Sequence, residues 1–153
     1  MKEEIEALLV HSSDFPMAGL KKALENQLIR TDRARTCKEA GWRLASSNPP
    51  HLVFTDTDLL DGSWTDVVDL AAGAREPVNV IVVSPFADIP LYMAVMERRA
   101  FDFITHSFTV PELNHILRCA VEDVSSRRKK PVHLRGESTR RAIELGMVIF
   151  KEI

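Results

Sequence analysis

Cysteine is scarce in this chain. Its two cysteines, Cys37 and Cys119, stand far apart without CxxC or metal-ligand spacing. That argues against a disulfide framework and suits free thiols in a reducing cytosol. No sign of charge dominates either. Twenty Lys and Arg against 22 Asp and Glu leave a net charge of −2, so no overall field draws the chain to nucleic acid or anionic lipid. Any electrostatic partner is read by a local patch. No apolar run approaches the ~18 residues of a membrane span. The opening MKEEIEALLV carries acids where a secretory leader would carry a basic segment. A cytoplasmic protein without membrane attachment is expected. What is present, 153 residues with 45% hydrophobic and 27% charged content, fits one globular domain. That leaves both enzyme and binding module open.

The most informative stretch is VFTDTDLLDG, from Val53 to Gly62. A strand-length apolar run ends there on Asp56 and passes into an acidic turn. Before it, Ile5 to Val10 reads as a first strand ending at His11, Ser12, Ser13 and Asp14. Pro16 then opens a helix with Met17, Leu20, Ala23 and Leu24 at helical spacing. Gln27 to Thr31 is expected as the second strand. Thr36 and Glu39 then read as a capping box before the stripe Cys37, Ala40, Gly41 and Leu44. The third strand covers His51 to Thr55. Ser63 and Asp66 form a second box, with Trp64, Val67, Val68 and Ala71 as the inward face. NVIVV, Asn79 to Val83, is a β-branched run of the kind buried on both faces, and it ends at Ser84. Asp88 and Pro90 open a helix to about Arg98, and Ala100 to Thr105 is the fifth strand, ending at His106. Thr109 and Glu112 give a third box before Leu113, Ile116, Leu117, Ala120, Val121 and Val124.

Strand and helix alternate throughout, which predicts an α/β fold with a single five-stranded parallel sheet and helices on both faces. In such a sheet the strand ends share one edge, so His11, Ser12, Asp56, Ser84 and His106 are expected to meet there.

VFTDTDLLDG, the hydroxyl after NVIVV, and AFDFITHSF, at these separations, resemble the receiver domain of two-component response regulators. The likeness covers roughly residues 4 to 126. It implies the flavodoxin-like receiver fold. It also implies that Asp56 accepts a phosphoryl group from a histidine kinase and that Ser84 contacts that group. Phe103 stands at the aromatic switch position. The departures are equally specific. Receivers place two carboxylates after the first strand to hold Mg²⁺, and His11 and Ser12 stand there. Their lysine after the fifth strand is His106. Mg²⁺ needs oxygen ligands and negative charge, so Asp56 with Asp58 makes a weak metal site and Mg²⁺ is a doubtful cofactor. A neutral imidazole at His106 supplies no permanent cation. Loss of metal and cation together should slow phosphoryl transfer greatly.

Three other readings stay open. Asp56 and Asp58 serve as ordinary turn residues, or His11, His106 and Asp56 hold a transition metal. The third is a small flavodoxin-like protein binding FMN or a metal at the same edge, although HSSDFP has no glycine-rich phosphate cradle. His51, His115 and His133 read as surface residues, and Trp42 lies off its helix's apolar stripe. After a receiver-like unit at 1–126, residues 127–153 form a basic segment, read as a solvated helix end, and a tail. GESTRRAIELGMVIFKEI resembles the opening of the ATPase module that follows receivers in some transcriptional activators. Without a phosphate-binding loop it carries no ATPase assignment, and no nucleic-acid-binding motif is present. The expectation is an atypical receiver rather than a turnover enzyme. It would signal through protein–protein contacts with a histidine kinase or other signalling protein, and a homodimer is a further option.

Overall fold

The computed structural model describes residues 4–13 and 17–130. Asp14, Pro16, His133 and the tail from 131 onward therefore lie outside the described residues. The elements follow the order β1 (Glu6–Val10), α1 (Ala18–Asn26), β2 (Arg30–Ala34), α2 (Cys37–Leu44), β3 (Leu52–Asp56), β4 (Asp58–Leu59), β5 (Gly62–Ser63), α3 (Trp64–Ala72), β6 (Asn79–Ser84), α4 (Ile89–Glu97), β7 (Asp102–Thr105) and α5 (Val110–Lys129). Five strands make a parallel sheet in the order β2-β1-β3-β6-β7. The expected α/β architecture is present.

Alternation along the strands sorts the core into two layers. Leu9, Phe54, Ile81 and Val83 pack toward α1 and α5, meeting Leu20, Leu24, Leu113, Leu117 and Ala120. Leu8, Val10, Val53, Val80 and Val82 face the other way, onto Ala40 and Leu44 of α2, Trp64 and Val67 of α3 and Val95 of α4. Each fully buried large side chain contributes about 1.5–3 kcal/mol. An exposed pair such as Lys21–Glu25 contributes a few tenths of a kcal/mol at most, so it is apolar burial that fixes the sheet.

The second strand is Arg30–Ala34, three residues later than the expected Gln27–Thr31. Helix α1 runs on to Asn26 and closes with Leu28 N–H on Glu25 O and Ile29 N–H on Leu24 O, a Schellman turn that needs Leu28 in the left-handed region, at φ 62°. The charges that read as a strand's end belong to an edge strand, where they face water. Arg30 pairs with Glu4 and Glu6, and Asp32 with Arg43. Helix α4 closes the same way, with Arg99 N–H on Met96 O, Ala100 N–H on Val95 O, and Arg99 at φ 66°. A side chain in that conformation costs roughly 1–2 kcal/mol over glycine.

Of the three capping boxes, only Ser63–Asp66 is reciprocal. Thr36 accepts from Glu39 N–H, but Glu39 reaches back to Arg35 N–H. Thr109 accepts from Glu112 N–H, and no return bond from Glu112 is present among the described residues. Two further expectations are corrected at the N-terminal edge of the sheet. His51 is buried, not on the surface, and its Nδ1 accepts from Glu6 N–H at 3.1 Å. The basic run is a helix end as expected, closing α5 at Lys129 with its lysines exposed, but its arginines are not solvated charge, because they are spent on the fold. Arg127 bonds Asp123 and Asn79, and Arg128 donates to the carbonyls of Pro77, Pro49 and Pro50. Trp42 is exposed as expected, with the Lys38 ammonium 5.4 Å from the ring centre.

Candidate functional site

The register brings the strand ends level at one edge. Val10 pairs with Thr55, so His11 and Asp56 come next side by side. Asp56 pairs with Val83, and Ser84 with Thr105. His106 N–H then donates to Ser84 O at 2.8 Å. All five expected residues lie on this edge, but their side chains mostly turn to local partners.

His11 is buried, with Nδ1 2.5 Å from Ser13 O. Ser12 Oγ donates to Arg35 O at 3.1 Å and accepts from Leu60 N–H at 3.3 Å. The half-buried Asp56 turns Oδ1 to Thr57 N–H at 2.9 Å. Asp58 is exposed and accepts from Thr57 Oγ. Ser84 is buried, donating to Phe86 O at 2.9 Å and accepting from Phe86 N–H at 3.2 Å. His106 differs from the rest. Its Nε2 is buried and has no hydrogen-bond partner. Phe103 packs partly buried against the α4 layer, its ring edge-on to Tyr92 with centroids 5.8 Å apart.

These donors do not fit Mg²⁺. The ion requires near-octahedral oxygen coordination with strong carboxylates, and here one Asp56 carboxylate oxygen is already turned to a backbone amide and the Ser12 and Ser84 hydroxyls are each bonded twice. Nor, among the described residues, do any three His, Cys, Asp or Glu side chains group closely enough to hold a metal ion. The His11–His106–Asp56 transition-metal reading finds no support in this geometry.

The acidic turn after Asp56 is more structured than its sequence suggested. Asp58–Leu59 and Gly62–Ser63 form an antiparallel hairpin, and its Asp61 carboxylate caps α2, accepting from Cys37 N–H at 2.7 Å and Lys38 N–H at 3.1 Å. Glycine is required at 62, since a Cβ there would lie 2.4 Å from an Asp66 oxygen and 2.9 Å from Cys37 Sγ. The hairpin turns on Leu60 and Asp61, with Gly62 already in its second strand, so it is not the Asp-Gly turn a pattern rule would recognise. The bond from Cys37 N–H, with a second from Lys38 N–H, holds the Asp61 carboxyl below the usual range. The stability that cap adds is present above the unfolded pKa and lost as pH falls through the lower folded one. Cys37 moves the opposite way. Burial, with the Asp61 and Asp66 carboxylates beside it, pushes its thiol up to about 11 from 9.0. Its contribution is complete below the unfolded value and vanishes as pH rises through the folded one. At pH 8 Cys37 is therefore expected to alkylate about a hundredfold more slowly than an unperturbed thiol, read by mass spectrometry of the iodoacetamide-treated folded protein. Equal rates in folded and urea-unfolded protein would contradict it.

No helix among the described residues is long and apolar enough to cross a membrane. No family model matches the chain. It is 25% identical over 143 residues to the photosynthetic apparatus regulatory protein RegA of Cereibacter sphaeroides, covering 91% of this chain and 77% of that one. It is 32% identical over 101 residues to the nitrogen assimilation regulatory protein NtrX of Azorhizobium caulinodans, covering 63% of this chain and 22% of NtrX. Among solved structures, the signal receiver domain of an HD domain-containing protein from Pseudomonas fluorescens superposes with a TM-score of 0.72 at 22% identity, over 86% of this chain and 96% of that one. Other receiver domains superpose comparably. In sequence the chain is similar to response regulators, and in fold it is a receiver-type domain.

Proposed function

We propose that the chain is an atypical receiver in two-component or phosphorelay signalling, with Asp56 as the phosphoacceptor position, an impaired Mg²⁺ site, and an output made by protein–protein contact with a histidine kinase or another signalling protein. The observation that carries this reading is the state of the sheet edge. Asp56 stands where a receiver carries its phosphoacceptor, while His11 and Ser12, at the acidic-pair positions, are tied to Ser13, Arg35 and Leu60. His106 replaces the permanent cation of the lysine position. Residues 1–126 would form the receiver unit, followed by the basic segment and tail at 127–153.

A surface for such contact is available next to the switch positions. Phe86, in the loop before α4, and Ile89, Met93 and Met96 on it are 40–75% exposed, and an apolar patch of this kind marks interaction surfaces more often than chance exposure does. Ser84 holds the start of that segment through Phe86, and Phe103 touches its Tyr92. The flavin alternative is weaker, because the Ser12 hydroxyl and the His11 ring of the loop after β1 are bonded within the protein and no glycine opens a phosphate cradle.

Asp56→Asn is expected to retain binding to a signalling partner of the wild-type chain within about threefold, measured by titration calorimetry, since the substitution preserves shape and the proposed surface lies on α4. Loss of binding with an unchanged circular dichroism spectrum would show that output depends on the carboxylate.

A further inference from the structure

At the edge of the sheet opposite Asp56, a cleft of about 610 Å³ opens between the C-terminal ends of α3 and α4 and the start of β6. Four arginines line it, Arg75, Arg98, Arg99 and Arg127, against two acids, Asp69 and Glu76. Two of the four are committed. Arg98 pairs with Asp69 at 3.5 Å, and Arg127 is fixed by Asp123 at 2.9 Å and by Asn79 Oδ1 at 2.7 Å. Glu76 is itself engaged. Among the described residues the guanidinium groups of Arg75 and Arg99 have no ion pair and no hydrogen bond. They stand exposed on the same cleft.

Arg99 is the telling residue. It occupies the left-handed position of the α4 Schellman turn, at φ 66°, where glycine is the favoured residue. A cation offsets a helix C-terminus, but Arg98 already stands at that end. A disfavoured backbone conformation that places one more guanidinium on a cationic cleft is the kind of local strain that accompanies binding sites.

We propose that this cleft binds a phosphate-bearing small molecule of nucleotide size. Guanidinium groups match phosphate oxygens two bonds at a time. The volume lies in the range of small-molecule sites, and Val68, Ala72 and Val78 add an apolar wall for the rest of the ligand. The site is independent of Asp56. Strand β6 alone, six residues from Asn79 to Ser84, separates the two edges by about 17 Å.

Calorimetric titration of the full chain with ADP, pyrophosphate and adenosine tests the assignment. ADP is expected to saturate, pyrophosphate to bind more weakly and adenosine not to bind. Arg75→Ala and Arg99→Gly are each expected to weaken ADP roughly tenfold, while Arg99→Gly raises the melting temperature, so that lost binding is not lost folding. Asp56→Asn is expected to leave ADP binding unchanged, whatever becomes of the signalling reading. The proposal is overturned if neither ADP nor pyrophosphate saturates, if pyrophosphate equals ADP, or if ADP binds both arginine variants as it binds the wild type.

Discussion

Replacing His11 and Ser12 by aspartate is expected to give a chain that saturates with Mg²⁺ at sub-millimolar concentration, where the wild type shows no saturable response. Trp64 fluorescence or NMR shifts at the β3 end would read it. Asp56 is the one carboxylate among the matched metal positions, and its neighbours' hydroxyl and imidazole are bonded elsewhere. Two added acids supply the charge a hard cation demands. Without metal the same substitutions should destabilise the fold, because three carboxylates then share one sheet edge. Adding His106→Lys restores a permanent cation beside them. With a small phosphodonor and Mg²⁺, that triple variant is expected to gain phosphoryl mass at Asp56 at least ~10²-fold faster than wild type, the scale of removing one electrostatic stabiliser from a reacting anion. Sub-millimolar Mg²⁺ binding by the wild type, or equal phosphorylation rates, would end the impaired-site reading.

Arg128→Met is expected to cost about 2–3 kcal/mol of unfolding free energy, whereas the neighbouring exposed Lys129→Met stays within about 0.5 kcal/mol. The Arg128 guanidinium donates to Pro77 O at 2.8 Å, Pro50 O at 2.7 Å and Pro49 O at 3.3 Å. Those carbonyls belong to the loops that lead into β6 and β3. Methionine keeps much of the side-chain packing and removes the donors, leaving part-buried carbonyls unsatisfied. Urea denaturation at constant m-value measures the difference. A change no larger than that of Lys129→Met would mean that the three bonds merely exchange with water.

How much of this was legible in the sequence depended on whether the signal was local. Val80–Val83 and the Leu113–Val124 stripe announced a buried strand and an amphipathic helix because their periodicity is their burial. The level placement of His11, Asp56, Ser84 and His106 followed from topology. What their side chains bond did not, since Ser12 meets Arg35 and Leu60, residues far along the chain. Thr36 and Thr109 were legible as caps, but their glutamates were not, because a side chain chooses among nearby amides only once the turn is built. Strand β2 was displaced by one Leu in a left-handed conformation that no pattern rule assigns to it. Arg127 and Arg128 looked like solvated charge, since Asn79 and the carbonyls of Pro77, Pro50 and Pro49 that they bond lie 48–79 residues earlier in the chain. For Arg99 a signal existed: arginine stands where a helix of this kind ends on glycine.

Tyr92 is the chain's single tyrosine, and its ring meets the edge of Phe103 at an interplanar angle of 86°. Ring currents at that separation are steep, so the Tyr92 resonances carry the orientation of Phe103 in one assignable spin system. The protein thereby holds an intrinsic, label-free probe of its own aromatic position, one whose chemical shift can be followed while the sheet edge or the arginine cleft is titrated.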